Sequence, residues 1–415
     1  MKKKLFTVAC IGVGARGVHY MSYMKDMGED KFKIVSLCEK NKERLEYGKS
    51  FFNVPDKDCY FDEEAFFKNL KADLCIVATQ DQDHVGHAIK AIKAGCDVLC
   101  EKPISNKEEE IKELLRAQKQ YKKRVIVCHV LRYAAAFMFL KNAITNKEIG
   151  DLVMIDDMEN VWFPHQAHSF VRGNWRNSDE TSPMILAKCC HDFDIFVWLT
   201  NSKCDSISSI GDLTYFKKEN QPEGASDRCK DCKYRGTCLY DAYHSYIDNK
   251  FWGREMITNV RPITDEAVRE ALDNGPYGRC VFACDNNVVD NEVCIMRFKN
   301  NVVVNLRMSG FTAFGGRIVK VYGTKGQIDL DESKGILEVK IFDQPIKTLE
   351  ISSLTDTVSG HGGGDKGLIE SLYKFLCGKK VDNITSLSLS IESHMIAFAA
   401  EKSRLQNGKM VKVKS

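Results

Sequence analysis

The stretch Val8-Ala9-Cys10-Ile11-Gly12-Val13-Gly14-Ala15-Arg16-Gly17 decides the fold of the N-terminal part of the chain. An apolar run typical of a strand ends at Ile11, and the pattern Gly-x-Gly-x-x-Gly follows at once. In this pattern Gly12 permits a tight turn, Gly14 lets the backbone approach a pyrophosphate, and Gly17 lets the next helix pack closely. The amides that open that helix face the phosphates, helped by the helix dipole. We therefore predict a dinucleotide-binding turn that includes Ala15 and Arg16.

Glu39 indicates which dinucleotide the turn prefers. It follows a second apolar strand, 32–38, and lies 22 residues after Gly17, where an acidic residue hydrogen-bonds the ribose diol of the adenosine. A carboxylate there repels a 2′-phosphate, so we expect NAD rather than NADP, although Lys40 and Arg44 moderate this preference. The alternative, a glycine turn that only joins a strand to a helix, is disfavoured by this spacing.

The residues up to 131 alternate between strand and helix patterns. Predicted strands lie at 5–11, 32–38, 73–79, 97–100 and 124–130, and predicted helices lie at 18–25, 65–70, 85–94 and 109–119. Short connections between such elements are typical of a parallel, doubly wound sheet with right-handed crossovers. We therefore predict an α/β Rossmann domain over 1–131 and a second domain over 132–415.

The composition limits the classes of protein to which the chain can belong. Of 415 residues, 60 are basic and 57 acidic, which gives a net charge of +3. No basic cluster indicates nucleic acid, and no apolar stretch is long enough for a membrane span. The 17 cysteines are scattered, often inside apolar runs, which is typical of reduced thiols in the cytoplasm. We interpret the basic start and the apolar residues after it as the first strand, not as a signal peptide.

Lys102 follows the predicted strand 97–100 in the sequence Glu101-Lys102-Pro103. Ligands of open parallel sheets bind beyond the carboxyl ends of the strands, so this position predicts that Lys102 lies at the cofactor cleft. Pro103 restricts the backbone directly after it. A solvated surface charge is the alternative.

Several motifs together resemble those of the Gfo/Idh/MocA family of nicotinamide-dependent oxidoreductases. They are Gly12–Gly17, Ala78-Thr79 with Asp83-His84, Gly95–Val98, Glu101-Lys102-Pro103, Lys188–Asp194 and Gly323–Gly326. The resemblance implies a Rossmann domain followed by a C-terminal α/β domain with a large, mostly antiparallel sheet. It also implies that Thr79, His84, Glu101 and Lys102 contribute to the cofactor site, and that the chain forms a homodimer or homotetramer.

The pattern beyond residue 132 agrees with an antiparallel sheet. Predicted strands lie at 153–158, 206–213, 287–298, 302–309, 317–322, 326–330 and 337–341, several in hairpin order. A C-terminal helix is predicted over 387–406.

A helix predicted over 183–199 carries the candidate catalytic histidine. One of its faces combines Lys188, His191 and Asp192. His191 suits an acid/base role, because the pKa of an unperturbed imidazole lies near neutrality. Lys102 is expected to stabilise the alkoxide that develops during hydride transfer, or to relay its proton. The alternative for His191 is a hydrogen-bonded structural histidine.

Position 187 departs from the family pattern. Many members carry an aspartate four residues before this histidine, where this chain has Ala187, so a His–Asp pair from that position is in doubt. Lys188 is the polar alternative beside it. Asp192 and Asp194 are candidates for supporting His191, and we expect Asp192 to face the site.

Other candidate substrate contacts lie outside this helix. We predict an extended loop over 162–175, where recognition residues often lie, and the glycines of 361–365 let a backbone approach a ligand closely. The alternative for each candidate is a loop contact or a helix cap. The candidates are Arg132, Tyr133, Trp175 and His361, together with His165, His168, Arg172 and Arg176.

A cysteine cluster lies in a polar segment at about 215–285 that resembles an insertion. Cys229, Cys232 and Cys238 form the pattern C-x₂-C-x₅-C, which brings thiolates to one ion, and zinc prefers four such ligands. Cys280, which we expect to start the strand that follows this segment, is our choice for the fourth ligand, with Cys284 and His244 as alternatives. We therefore predict a structural zinc site; unrelated reduced cysteines are the alternative.

The leading hypothesis is an NAD-dependent oxidoreductase that transfers hydride between the nicotinamide and a sugar, cyclitol or related polyol. A second hypothesis, taken from relatives in the family, is a glycoside hydrolase that uses tightly bound NAD transiently through oxidation, elimination, addition of water and reduction. A third is a non-catalytic nucleotide-binding protein, against which Lys102 and His191 argue.

Overall fold

The computed structural model of the chain describes residues 4–355 and 359–414. Its strands in chain order are β1 (Phe6–Ile11), β2 (Phe32–Cys38), β3 (Cys59–Tyr60), β4 (Leu74–Val77), β5 (Asp97–Cys100), β6 (Val125–Val127), β7 (Leu152–Asn160), β8 (Cys204–Asp212), β9 (Asn291–Phe298), β10 (Val303–Ser309), β11 (Gly316–Gly323), β12 (Gly326–Asp331), β13 (Ile336–Ile341), β14 (Lys347–Glu350) and β15 (Val411–Lys412). Its α-helices are α1 (Ala15–Met27), α2 (Lys42–Phe52), α3 (Glu63–Asn69), α4 (His84–Lys93), α5 (Glu108–Tyr121), α6 (Ala135–Thr145), α7 (Phe163–His165), α8 (Met184–Thr200), α9 (Arg254–Ile257), α10 (Asp265–Asn274), α11 (Ser359–Gly362), α12 (Gly364–Leu376) and α13 (Leu387–Arg404).

The chain divides into two compact units. The first consists of the residues up to Val130 together with Thr258–Thr264 and Gly364–Ile391. The second consists of Leu131–Ile257, Asp265–Gly363 and the residues from Glu392 onward. Two stretches from beyond residue 132 therefore belong to the first unit.

The first unit is built on a six-stranded sheet with the order β3-β2-β1-β4-β5-β6, in which all neighbouring strands are parallel. All four residues of β4 are buried, as expected for a strand covered on both faces of a parallel sheet. The strand order reverses between β1 and β4, and ligands of such sheets bind beyond the carboxyl ends of the strands at this point. The predicted Rossmann sheet is confirmed, and its glycine turn follows β1 directly.

The second unit is built on a nine-stranded sheet with the order β14-β13-β12-β11-β7-β10-β9-β8-β15. Only β7 and β10 pair in parallel among these strands, so the predicted large and mostly antiparallel sheet is confirmed. Helix α8 shares the apolar core with this sheet, and 14 of its 17 residues are buried. Polar groups on a helix that is buried on nearly all sides cost free energy unless they are hydrogen-bonded or paired.

Two predictions about local structure are wrong. The predicted extended loop over 162–175 is largely helical, since α7 continues into a π-helix at Gln166–Arg172 whose residues are all buried. Cys280 does not begin a strand, because β9 starts only at Asn291. Over 4–355 and 359–414, no helix is both long and apolar enough to cross a membrane.

Candidate active site

The glycine turn has the shape that a dinucleotide needs. Gly12 has a φ of +91°, and a Cβ there would lie 2.4 Å from the carbonyl oxygen of Ala78. A Cβ at Gly17 would lie 2.1 Å from the carbonyl oxygen of Gly12, so α1 packs directly on the turn. At Gly14 the nearest atom to such a Cβ is a guanidinium nitrogen of Arg44, at 3.6 Å. The turn is thus tightly packed below and approachable at Gly14, which fits a bound pyrophosphate.

Glu39 follows β2 and is held by backbone amides. Its two carboxylate oxygens accept hydrogen bonds from the amides of Val13 and Asn41, each at 2.9 Å. Arg44, on the first turn of α2, donates from Nε to the side-chain oxygen of Asn259 at 2.7 Å, and Asn259 belongs to the Thr258–Thr264 stretch of the same unit. A carboxylate and a guanidinium therefore lie beside the glycine turn.

The side chain of Arg16 joins three elements of the first unit. Its guanidinium lies 2.7 Å from the carboxylates of Glu101 and Asp365 and also donates to the hydroxyl of Tyr20. Tyr20 donates in turn to Glu101 at 2.6 Å. These contacts link the start of α1 to the end of β5 and to α12. Tyr20 was missed by the sequence analysis, whereas Asp365, the last residue of the predicted stretch 361–365, is buried beside Arg16.

Glu101 holds the backbone of Lys102. Burial by itself raises the pKa of Glu101, but the charges of Arg16 and Lys102 and the hydrogen bonds from Arg16 and Tyr20 bring it to about 2. The ionised carboxylate accepts the backbone amide of Lys102 at 2.8 Å. The side chain of Lys102 is half-buried. The ion cluster around Arg16 therefore fixes the backbone from which this lysine projects.

His84 and Thr79 support the same segment. His84 is 1% exposed, and its ring nitrogens contact the carbonyl oxygens of Pro103 at 2.7 Å and of Thr79 at 3.2 Å. The hydroxyl of Thr79 contacts Nδ1 of His87 at 3.1 Å. The imidazole of His84 thus ties the end of β4 to the Glu-Lys-Pro segment after β5.

In the second unit, His191 lies on α8 and is 5% exposed. The exposed His361 lies near it, with the two ring centroids 5.8 Å apart. Lys188 lies one turn before His191 on the same helix, and its side chain is 20% exposed. Two imidazoles and an ammonium are therefore grouped in this part of the second unit.

Lys188 is also part of a buried ion network. The ammonium of Lys188 lies 3.1 Å from Glu159 of β7, which also contacts Arg317 of β11 at 2.7 Å. Arg317 reaches both carboxylate oxygens of Asp192, at 2.5 and 3.1 Å. Burial raises the pKa of Asp157, the inward neighbour of Glu159, and the charge of Asp192 raises it further. Glu159 and Arg317 were missed by the sequence analysis. Asp192, which we expected to face the site, is buried and accepts hydrogen bonds from Arg317.

Arg132 and Asp194 form a second buried ion pair. The guanidinium donates to both oxygens of the carboxylate, at 2.6 and 2.7 Å, and the two residues are 3% and 1% exposed. Tyr133 is also buried, and Trp175 packs against the apolar core. Arg132 and Tyr133 thus lie in the interior of the second unit, and Trp175 is partly buried against its core.

The helical segment 163–172 is part of the protein interior. His168 is 1% exposed, accepts or donates at Nδ1 to the hydroxyl of Tyr246 at 2.7 Å, and stacks on Tyr277. Burial, with a smaller contribution from the charge of Arg172, lowers the pKa of His168 to about 3, so this imidazole is neutral at physiological pH. The contacts of His168 are those of a structural histidine.

The cysteines that we predicted as zinc ligands line one cavity of about 120 Å³, but the prediction of zinc is not supported. Over the part of the chain that the structure describes, no three His, Cys, Asp or Glu side chains are arranged to hold a metal ion. The buried guanidinium of Arg172 also lines this cavity, and its Nη2 lies 3.7 Å from the sulfur of Cys229. The cysteines are Cys229, Cys232, Cys238 and Cys280, all with free thiols.

The two units together define a class of protein. A parallel sheet with a glycine turn and an acidic residue after its second strand is the architecture of a dinucleotide-binding domain. The second unit adds a mostly antiparallel sheet and a buried helix that carries a candidate acid/base histidine. This combination is that of a dinucleotide-dependent oxidoreductase with a separate substrate domain.

The chain belongs to the Gfo/Idh/MocA family. The family model "Oxidoreductase family, NAD-binding Rossmann fold" matches residues 6–129, and the model "GFO/IDH/MocA C-terminal domain" matches residues 137–329. The resemblance inferred from the motifs is therefore confirmed, and the chain is an NAD-binding oxidoreductase. Because the second model runs through 215–285, that segment is not confirmed as an insertion.

Relatives of known sequence and structure agree with this family. "Putative oxidoreductase YteT" of Bacillus subtilis is 24% identical in an alignment of 365 positions that covers 82% of each chain. "Inositol 2-dehydrogenase" of Pseudarthrobacter chlorophenolicus is 24% identical over 286 residues, which are 68% of this chain and 78% of that enzyme. The WlbA dehydrogenase from Bordetella pertussis, solved with NADH and UDP-GlcNAcA, superimposes with a TM-score of 0.73 at 15% identity, covering 100% of this chain and 99% of that one. At this identity the structural likeness concerns the fold alone.

Proposed function

We propose that the protein oxidises a hydroxyl group of a sugar, cyclitol or related polyol, with NAD as the hydride acceptor. The observation that carries this proposal is the group of His191, His361 and Lys188, which brings polar side chains together at a helix that is mostly apolar and buried. The relatives that are inositol dehydrogenases support the same class of substrate.

The proposed roles follow from the chemistry of the side chains. Loss of hydride from a carbinol carbon requires a base for the hydroxyl proton, and His191 is our candidate for that base. The oxygen gains negative charge during the reaction, and the ammonium of Lys102 is our candidate for stabilising it. NAD, when bound, supplies the redox chemistry.

We also propose that the cofactor is NAD rather than NADP. The carboxylate of Glu39 lies at the end of β2 beside the glycine turn, where it would repel a 2′-phosphate.

The homo-oligomer and the cytoplasmic location stay predictions from the family resemblance and the cysteine content.

A panel of polyols tests the proposal. Purified protein is incubated with NAD or NADP and with myo-inositol, D-glucose, N-acetyl-D-glucosamine or the nitrophenyl glycosides of the two sugars, while absorbance at 340 nm and release of nitrophenol are recorded. We expect stoichiometric NADH with at least one polyol, and loss of activity in His191→Asn and Lys102→Met. Release of nitrophenol without net NADH would instead establish glycoside cleavage with transient use of NAD. Binding of NADH without either reaction would refute both enzymatic proposals.

A further inference from the structure

The ion network beside His191 has one end that is partly exposed. The side chains of Glu159, Asp192 and Arg317 are 1%, 0% and 7% exposed, whereas that of Lys188 is 20% exposed. The carboxylates and the guanidinium are therefore closed off from a ligand, and only the ammonium of Lys188 can meet one.

Glu159 explains where this ammonium lies. Its carboxylate is paired with two cations, Arg317 at 2.7 Å and Lys188 at 3.1 Å. Burial alone would raise the pKa of Glu159. The charges of Arg317 and Lys188 outweigh burial and lower this pKa below its ordinary value, so the carboxylate is ionised. A buried charge without partners is strongly unfavourable, so Glu159 restrains a lysine side chain that would otherwise sample many rotamers.

Lys188 and His191 are three residues apart on one helix, and side chains with this spacing are neighbours on the helix surface. Adjacent hydroxyl groups of a polyol are also close neighbours. A base and a restrained ammonium on one face of a helix can therefore contact two vicinal oxygens of one substrate, whereas an isolated alcohol offers an oxygen to only one of them.

We propose that Glu159 is a positioning residue that holds the ammonium of Lys188 beside His191, where it binds the hydroxyl group next to the one that is oxidised. The substrate class is thereby narrowed to vicinal diols. This inference rests on the proposed oxidation of a polyol, since it assigns the oxygen that Lys188 contacts during that reaction. It also gives Glu159, which no motif singles out, a role in substrate binding.

The experiment compares Lys188→Met with wild type on matched substrates. Each polyol of the panel is assayed beside its monodeoxy analogue that lacks the hydroxyl next to the oxidised carbon. For the vicinal diol we expect Lys188→Met to lower kcat/KM by about 10- to 100-fold, the range for a lost hydrogen bond to a charged group. For the deoxy analogue we expect little change, because the lost contact was absent from the start. Lys188→Arg should retain most of the preference for the diol.

Glu159→Gln tests the positioning step. We expect it to weaken the preference for the diol in the same direction, and the double variant Glu159→Gln/Lys188→Met to be no worse than Lys188→Met alone. Should Glu159→Gln fail to fold, Lys188→Met still decides the inference, because Glu159 keeps Arg317 as a partner in that variant. The matched control is Lys340→Met on β13, because this lysine is 28% exposed and likewise pairs with two charged residues, Asp329 and Glu338; it should leave kcat/KM unchanged.

The outcomes are distinguishable from those of the proposed function. If wild type oxidises the diol but Lys188→Met lowers kcat/KM equally for diol and deoxy analogue, the role of Lys188 is refuted while the oxidoreductase remains. If wild type oxidises no polyol although it binds NADH, the proposed function is refuted and this inference with it.

Discussion

Replacement of Glu292 by glutamine should stabilise the second unit, and the gain should depend on pH. Glu292 lies on β9, is 1% exposed, and accepts a hydrogen bond from the hydroxyl of Ser209 at 2.5 Å. Its other carboxylate oxygen has no hydrogen-bond partner among the described residues. Burial, with a smaller contribution from Glu401, raises the pKa of Glu292 to about 7 from the ordinary value of 4.5, although Ser209 and Arg404 oppose this.

The size of the effect follows from this difference in pKa. Below pH 4.5 the carboxyl group is protonated in both the folded and the unfolded chain and contributes nothing. As the pH rises towards 7, the unfolded chain ionises first, so stability is lost. Each pKa unit corresponds to about 1.4 kcal/mol, so the full cost is about 3 kcal/mol at pH 8.5 and below about 1 kcal/mol at pH 5. Glutamine carries no charge and can still accept from Ser209, so Glu292→Gln should recover most of that cost.

Urea unfolding followed by tryptophan fluorescence measures this change, because all tryptophans of the chain lie in the second unit. They are Trp162, Trp175, Trp198 and Trp252. Glu338→Gln on β13 is the control, since this carboxylate is 36% exposed. The reasoning is refuted if Glu292→Gln is as stable as wild type at pH 8.5, or if its advantage is the same at pH 5.

Three further outcomes are expected. Glu101→Gln should destabilise the first unit by about 3 kcal/mol at pH 7, as measured by hydrogen exchange of β1. Because the pKa of Glu101 is lowered in the folded chain, its ionised carboxylate contributes stability above pH 4.5, and this stability is lost as the pH falls towards 2. Asp194→Asn should cost about 3–5 kcal/mol in tryptophan-monitored unfolding, because Arg132 is left buried without a charged partner, whereas Arg132→Met/Asp194→Leu should recover much of this loss. Glu39→Gln should reduce the ratio of NADPH to NADH dissociation constants by about 10-fold in fluorescence titrations, because a charge that repels the 2′-phosphate is removed.

Each of these expectations has a contrary result. A Glu101→Gln loss that persists unchanged at pH 2.5 would exclude an electrostatic origin. Equal losses in the single and double variants of the Arg132–Asp194 pair would show that packing, rather than an unpaired charge, accounts for the cost. Parallel weakening of NADH and NADPH binding in Glu39→Gln would mean that Glu39 only supports the glycine turn through its bonds to the amides of Val13 and Asn41.

The Rossmann unit was predictable because its signals are local. The glycines after β1 and the short apolar strands each depend on a few neighbouring residues, and β2 and β5 have the predicted bounds. Local rules failed at 162–175, where aromatic and polar residues in mixed order suggested a loop. Tertiary contacts such as those of His168 with Tyr246 and Tyr277 bury this segment as a helix.

The partners of the site residues were less predictable, because they depend on sheet register. Arg317 meets Glu159 only because β11 pairs with β7, and these strands are far apart in the sequence. A signal was nevertheless present in the alternation of the strands. Arg317 lies on the same face of its strand as Val319, and Glu159 lies on the same face as Ile155. Both of these apolar residues are buried. A charged residue at an inward position of a strand predicts a buried partner, although it does not identify that partner.

The contribution of α12 to the first unit has a consequence for how the protein is made. Tyr373 of α12 packs on Phe6 and Phe32 with ring centroids 6.0 and 5.5 Å apart, and Asp365 pairs with Arg16 of the glycine turn. On the ribosome, the strands of the sheet emerge long before this helix is synthesised. The surface of the sheet that α12 covers is therefore exposed until then. A fragment that ends at residue 131 lacks this helix, so we expect a stable cofactor unit to need Gly364–Ile391 together with Thr258–Thr264.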